Sequence, residues 1–153
     1  MSRAEVCLGK SPKRIRSVLV EHPSGRVIGH TTIYDNMIYL WQDTRVRFNR
    51  LALEPVESGR RPAEQVEIDL SAGRMLAVMP KLPAGSGYEI KLPLGVVRIL
   101  TNGCEISSEG VIKVHDGSVS VTYPGSPEPQ RVVSNQQFDV RTRVLQPIPH
   151  LDY

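Results

Sequence analysis

"VIKVHDGSVSV", residues 111–121, is the stretch that decides the fold. Apolar and polar residues alternate on both sides of Asp116-Gly117, with Ile112 and Val114 before the pair and Val119, Val121 and Tyr123 after it. Successive side chains of a strand point to opposite faces, so this alternation describes two half-buried strands. An Asp-Gly pair accepts positive φ and suits a tight type I′ connection. The expectation is a structural turn, which either sets the register between two strands or makes the corner between successive strands of a coil.

The same rhythm recurs along the chain. In "SGYEIKLP" (residues 86–93), Tyr88, Ile90 and Leu92 share one face while Glu89 and Lys91 share the other. Other short, turn-bounded runs are "RAEVCL", "IRSVLVEH", "RVIGHTTIY", "MIYLW", "TRVRFNRLAL", "EQVEIDL", "RMLAVM", "GVVRIL" and "RVVSNQQFDV". No stretch of a dozen residues carries a capped apolar face at helical spacing, and 12 glycines and 12 prolines interrupt the chain throughout. Valine, isoleucine and leucine supply most of the apolar surface, a composition that favours strands. The expected class is therefore all-β, with about a dozen short strands.

The 153 residues, 40% hydrophobic and 23% charged, suit one domain spanning 1–153 that buries its core without staples. No window of about 18 apolar residues exists, so no direct membrane span is expected. "EPVESGRRPAE" (54–64) has no apolar period and reads as an exposed internal loop, and "YPGSPEPQ" (123–130) as a Pro-rich surface excursion. The closing "LQPIPHLDY" reads as extended chain. The opening "MSRAEVCLGKSPKR" lacks the apolar segment of a secretory signal, which leaves two expectations: an internal protein, or a chain separated from its export segment. Cys7 and Cys104 are either a pair formed in an oxidising compartment or two small buried hydrophobes.

Charge is uneven. Through Arg61 there are 11 Lys and Arg against 6 Asp and Glu, and 8 against 10 beyond it. The basic run "KSPKRIR" (10–16) could contact phosphates, yet no reading helix or stacking aromatic accompanies it, so no nucleic-acid partner is expected. His22, His30, His115 and His150 are scattered without metal-ligand spacing. No "GxSxG" elbow is present, and "AGSGY" leads into a strand instead of a helix. Asp69, Glu89 and Glu105 each read as the outward residue of an alternating strand. Catalytic residues, cofactor and metal are accordingly all expected to be none. In "MIYLWQ", alternation puts Tyr39 and Trp41 on one face and Ile38 and Leu40 on the other. Tyr39 and Trp41 are thus a candidate ligand platform, for carbohydrate; because both faces are apolar, a strand buried on both sides is the competing expectation.

From Val66 to about residue 148 the order of motifs resembles the FecR domain of bacterial envelope proteins. The residues that carry the likeness are an "L-x-x-G-x-L"-type start at Leu70 and Gly73, then Leu82, Ser86, Tyr88, Glu89 and Ile90, and Pro93, Gly95 and Val96. Glu105, Ile106, Ser107, Gly110 and Val111 follow, with Val114, Gly117, Ser118, Val119 and Val121, and a closing Gln137 and Phe138. Two departures stand out: Leu100, Thr101 and Asn102 replace an Arg-Gly-Thr, and Asn135 replaces a glycine, a position where asparagine tolerates positive φ. The resemblance implies short strands in two facing layers, coiled into a solenoid-like β-sandwich that works outside the cytoplasm, in the periplasm or at the cell surface. Named members relay an outer-membrane ferric-siderophore signal to a sigma factor. The implied role here is a non-enzymatic protein-interaction or assembly module, with a protein partner or a second copy joined through strand edges. A carbohydrate-binding module, or a structural subunit of an envelope complex or filament, are the alternatives.

Overall fold

The alternating runs of the sequence fall within strands of the structure, a computed structural model that describes residues 5–8, 15–19, 27–33, 36–41, 43–54, 62–79 and 82–149. The strands are β1 (Glu5–Leu8), β2 (Ile15–Leu19), β3 (Val27–Ile33), β4 (Asn36–Trp41), β5 (Arg45–Glu54), β6 (Ala63–Ala72) and β7 (Arg74–Met79). They continue with β8 (Gly87–Leu92), β9 (Gly95–Ser107), β10 (Val111–Thr122), β11 (Gln130–Val133), β12 (Gln136–Asp139) and β13 (Val144–Pro147). All thirteen belong to one hydrogen-bonded sheet of order β1-β5-β6-β8-β9-β7-β4-β3-β2, with β10 on β9, β11 and β12 on β10, and β13 on β12. Among the described residues there is no helix long and apolar enough to cross a membrane.

The sheet curls because β9 and β10 each take part in two layers. Residues Gly95 to Ile99 of β9 pair with β8, whereas Asn102 to Ser107 pair with β7. In β10, Ser118 to Val121 pair with β11 and Val111 to Val114 with β12. One layer is therefore β1-β5-β6-β8 continued by the first half of β9, the second half of β10 and β11. The other is β2-β3-β4-β7 continued by the complementary halves, β12 and β13. Both layers contribute to one contiguous core, in which Ile38, Phe48, Ile68, Met75, Tyr88, Ile99, Ile106, Val119 and Phe138 are buried. The expected pair of facing layers is thus a single bent sheet.

Asp116-Gly117 does not close a hairpin. It lies inside β10, which runs unbroken through what the alternation divides into two strands. The reason lies in the parity of the apolar residues. Ile112 and Val114 are buried on even positions, and Val119 and Val121 on odd ones. A regular strand would turn the second set to solvent, so one extra residue is required. Pairing passes from Val114 opposite Cys104 to Asp116 opposite Gly103, which leaves His115 extra on β10. It then passes from Ser118 opposite Thr101 to Val119 opposite Ile99, which leaves Leu100 extra on β9. Such bulges bend a strand and raise its twist, and here they turn both strands from one layer into the other. At the bend Asn102 (φ 63) faces Gly117 (φ 95), and the Asn102 amide donates to Asp116 Oδ2 at 3.2 Å.

The corner recurs one coil later. "RVVSNQQFDV", expected as one strand, splits into β11 and β12 around Asn135, whose φ of 68 fulfils the expectation for an asparagine in place of glycine. Its N–H donates to the Val114 carbonyl at 2.8 Å, and the Ser134 hydroxyl accepts from the Gly117 N–H at 2.9 Å. In the stretch 54–64 expected to be an exposed loop, Ala63 and Glu64 instead open β6 and are buried, while residues 55–61 lie outside the described residues. In the Pro-rich excursion 123–130, the Tyr123 ring packs 5.7 Å from Phe138, anchoring an otherwise largely exposed segment. Lys10 to Arg14 of the basic run, and the last residues from His150, lie outside the described residues.

On the opposite rim, Gly73 (φ 81) carries the chain from β6 to β7 and so from one layer to the other. Thr44, in the neighbouring corner between β4 and β5, donates through Oγ1 to the Arg74 carbonyl at 3.1 Å and accepts from the Arg74 N–H at 3.2 Å. A methyl on Gly73 would lie 2.3 Å from Thr44 Oγ1 and 2.5 Å from its Cα. Gly73→Ala should therefore cost about 3 kcal/mol or more, from the left-handed backbone and the clash together. Gly103→Ala, whose methyl would meet only the Ala77 carbonyl at 3.8 Å, should change stability by less than about 1 kcal/mol. Urea midpoints of the two variants check the contrast.

Candidate functional site

β4 alternates buried and half-buried residues, so Ile38 and Leu40 enter the core while Tyr39 and Trp41 face outward. The expectation of a strand buried on both sides is corrected here, because the core covers only one face of each layer. The outward residues of four adjacent strands then line up side by side. Pairing sets Leu40 opposite Met75 and Arg74 opposite Ser107, so Trp41 on β4, Arg74 on β7, Glu105 and Ser107 on β9 and Lys113 on β10 share one surface. Between them is an open groove of about 470 Å³, closed at the rim by Asp43, Ser108 and Glu109.

Charge in this groove is mixed and partly neutralised. The Arg74 guanidinium carbon lies 4.5 Å from the centre of the Trp41 ring, a cation-π stack. Lys113 Nζ is 3.7 Å from Glu105 Oε2. Trp41 is therefore a wall of the groove. Tyr39 lies on the same face but does not line the groove, and its hydroxyl contacts Met37 Sδ at 3.5 Å. The pair proposed by alternation is thus placed together on one face, and only Trp41 meets the cavity.

The carboxylates singled out by sequence do not converge. Glu89 pairs with Arg98 at 3.7 Å on the other layer, far in pairing order from Glu105. Among the described residues no three His, Cys, Asp or Glu side chains gather as a metal site. His115 is exposed at the β10 bulge, His22 and His150 lie outside the described residues, and of His30 only the backbone, in β3, is described.

One polar cluster escaped the reading of the sequence. Glu64 is 1% exposed, and its Oε1 accepts from the Tyr88 hydroxyl at 2.8 Å and from the Asn36 amide at 3.1 Å. The same amide donates to the Tyr88 oxygen at 3.1 Å. Asn36 belongs to one layer, Glu64 and Tyr88 to the other, so the cluster is a hydrogen-bonded tie across the core. The signal was present: Glu64 shares the even positions of Val66, Ile68 and Leu70, which are the core positions of β6. Cys104 is fully buried and free, and the side chain of Cys7 lies outside the described residues. Burial pushes the Cys104 thiol up from 9.0 to about 12.

No family model matches the chain, and no curated protein matches it. Two solved structures are similar in fold. Both are crystal structures of a candidate anti-sigma factor from Parabacteroides distasonis, at 2.50 and 1.65 Å resolution, with TM-scores of 0.54 and 0.51 and sequence identities of 16% and 19%. Each match covers 86% of this chain and 58% of the neighbour, so the chain spans little more than half the length of the proteins it resembles. At this identity the likeness shows a shared fold.

Tyr88→Phe removes a donor to the buried Glu64 carboxyl while keeping the ring, and should cost about 1–3 kcal/mol in urea denaturation. For Cys104, the unfolded thiol loses its proton near pH 9 while the folded one holds it to about 12. The folded state binds more protons in that interval, so this contribution to stability is complete below about pH 9 and declines as pH rises toward 12. In a Cys7→Ser background, a thiol reagent at pH 8 should modify Cys104 only at the rate at which the protein opens.

Proposed function

We propose that this domain is a non-enzymatic protein-interaction module of the FecR kind, working outside the cytoplasm in envelope signalling or assembly. Three things support this reading. The motifs from Val66 onward resemble that family, the fold is shared with a candidate anti-sigma factor, and Glu89 and Glu105 lie on different layers, each in its own outward ion pair.

The observation that carries the mechanism is β13. All four of its residues are exposed, it pairs only with β12 among the described residues, and it presents Val144 and Leu145 to solvent. The Ile148 N–H bonds inward to the Asn135 carbonyl at 2.9 Å. Alternation along the strand then turns the Leu145 amide away from β12 and leaves it able to receive a further strand. Pro147 removes the next outward donor and limits pairing to a short segment. A partner strand added here would bond through the backbone and use Leu145 and its neighbours for selection.

Leu145→Pro tests this, because it deletes the outward donor and spares the β12 ladder. Light scattering after size exclusion over a hundredfold concentration range, and capture from envelope extracts, provide the readouts. The expected outcome is self-association or a specific captured protein in the parent chain, lost in Leu145→Pro with an unchanged urea midpoint. A parent chain that stays at 17 kDa and captures nothing, or binding that survives the substitution, would overturn the edge mechanism.

A further inference from the structure

We propose that the groove between Trp41 and Lys113 is a binding subsite for a neutral saccharide, separate from the strand edge. Its volume of about 470 Å³ lies within the range of roughly 300–1,000 Å³ typical of small-molecule clefts. Five of its ten lining residues are charged, two cationic and three anionic. The cores of protein interfaces are depleted in charge, so this surface is poorly suited to the apolar centre of a protein partner. A charged ligand of either sign would meet a like charge.

A polyhydroxylated ring has the opposite fit. Each hydroxyl both donates and accepts, so it answers carboxylates and cations alike. Asp43 and Glu109 offer acceptors from the rim, and Arg74 offers planar donors. Glu105 and Lys113 are already paired at 3.7 Å, which holds that wall at low net charge. The guanidinium of Arg74 rests on the Trp41 ring at 4.5 Å, so one face of the indole is already covered and the donor fork is held in place before any ligand arrives. The stacked guanidinium thus presents fixed, planar donors to a pyranose, whose hydroxyls both donate and accept. The loss of ordering freedom on binding is correspondingly reduced.

Trp41 is the only tryptophan of the chain, so its fluorescence reports on this groove alone. The whole chain is titrated with neutral oligosaccharides of glucose, galactose, mannose and N-acetylglucosamine, and with heparin as an anionic comparison. Saturable change in Trp41 emission with at least one neutral saccharide is expected, weakened tenfold or more by Arg74→Met and by Glu109→Gln at unchanged urea midpoint. Trp41→Ala should abolish binding measured by calorimetry; should that variant fail to fold, the exposed Glu109→Gln still decides. No response to any neutral saccharide, response to heparin alone, or affinity indifferent to Arg74→Met and Glu109→Gln would each overturn the proposal. None of these outcomes bears on Leu145→Pro, so the two surfaces are tested independently.

Discussion

The fold depends on two residues that have no partner opposite them. Leu100 in β9 and His115 in β10 are each one residue too many for a regular ladder, and together they bend the two longest strands of the sheet. Because both strands bend at the same place, the hydrogen-bonded pairing continues through the corner and every other strand inherits one of two layers. The buried positions change parity at this point, Val97 and Ile99 giving way to Cys104 and Ile106, so both halves keep their apolar side inward. Leu100 itself is left exposed as the consequence.

A bent sheet of this kind closes its corners with residues that accept unusual backbone angles. Asn102, Gly117 and Asn135 gather on one rim and Asp43 and Gly73 on the other, all at positive φ. Side chains tie the corners to one another: Asn102 to Asp116, Ser134 to Gly117, Thr44 to the backbone of Arg74. Across the interior, Asn36, Glu64 and Tyr88 link the layers through hydrogen bonds that hydrophobic packing alone would not direct. A buried network of this sort favours one registry of the two layers over its alternatives.

The same geometry determines where function can reside. The core occupies the concave side of both layers, so binding is left to the outer faces and the strand edges. On the outer face, the Trp41 groove draws its walls from four strands held by the central ladder. At the edge, β13 pairs among the described residues with β12 alone, with Val144 and Leu145 in solvent. A rigid groove and a lightly held edge suit different ligands, a small molecule in one case and an extended segment in the other.

Alternation by itself determined that the chain is all-β, that Tyr88, Ile90 and Leu92 face inward, and that Tyr39 and Trp41 share a face, because each of these follows from a period of two along a strand. The motif order from Val66 also pointed to two layers. Tertiary structure decided what depends on distant partners. Asp116-Gly117 is legible as a bend, but whether it closes a hairpin or turns a continuous strand depends on the matching extra residue fourteen to sixteen positions earlier, around Leu100 and Asn102. Glu64 closes a polar, aperiodic stretch that reads as loop, yet it enters β6 and is buried. Tyr88 and Asn36, brought to it from other strands, hydrogen-bond its carboxylate there. The groove was likewise invisible, since Trp41, Arg74, Glu105 and Lys113 meet only through the pairing of four strands, and no local pattern encodes which strands will be neighbours.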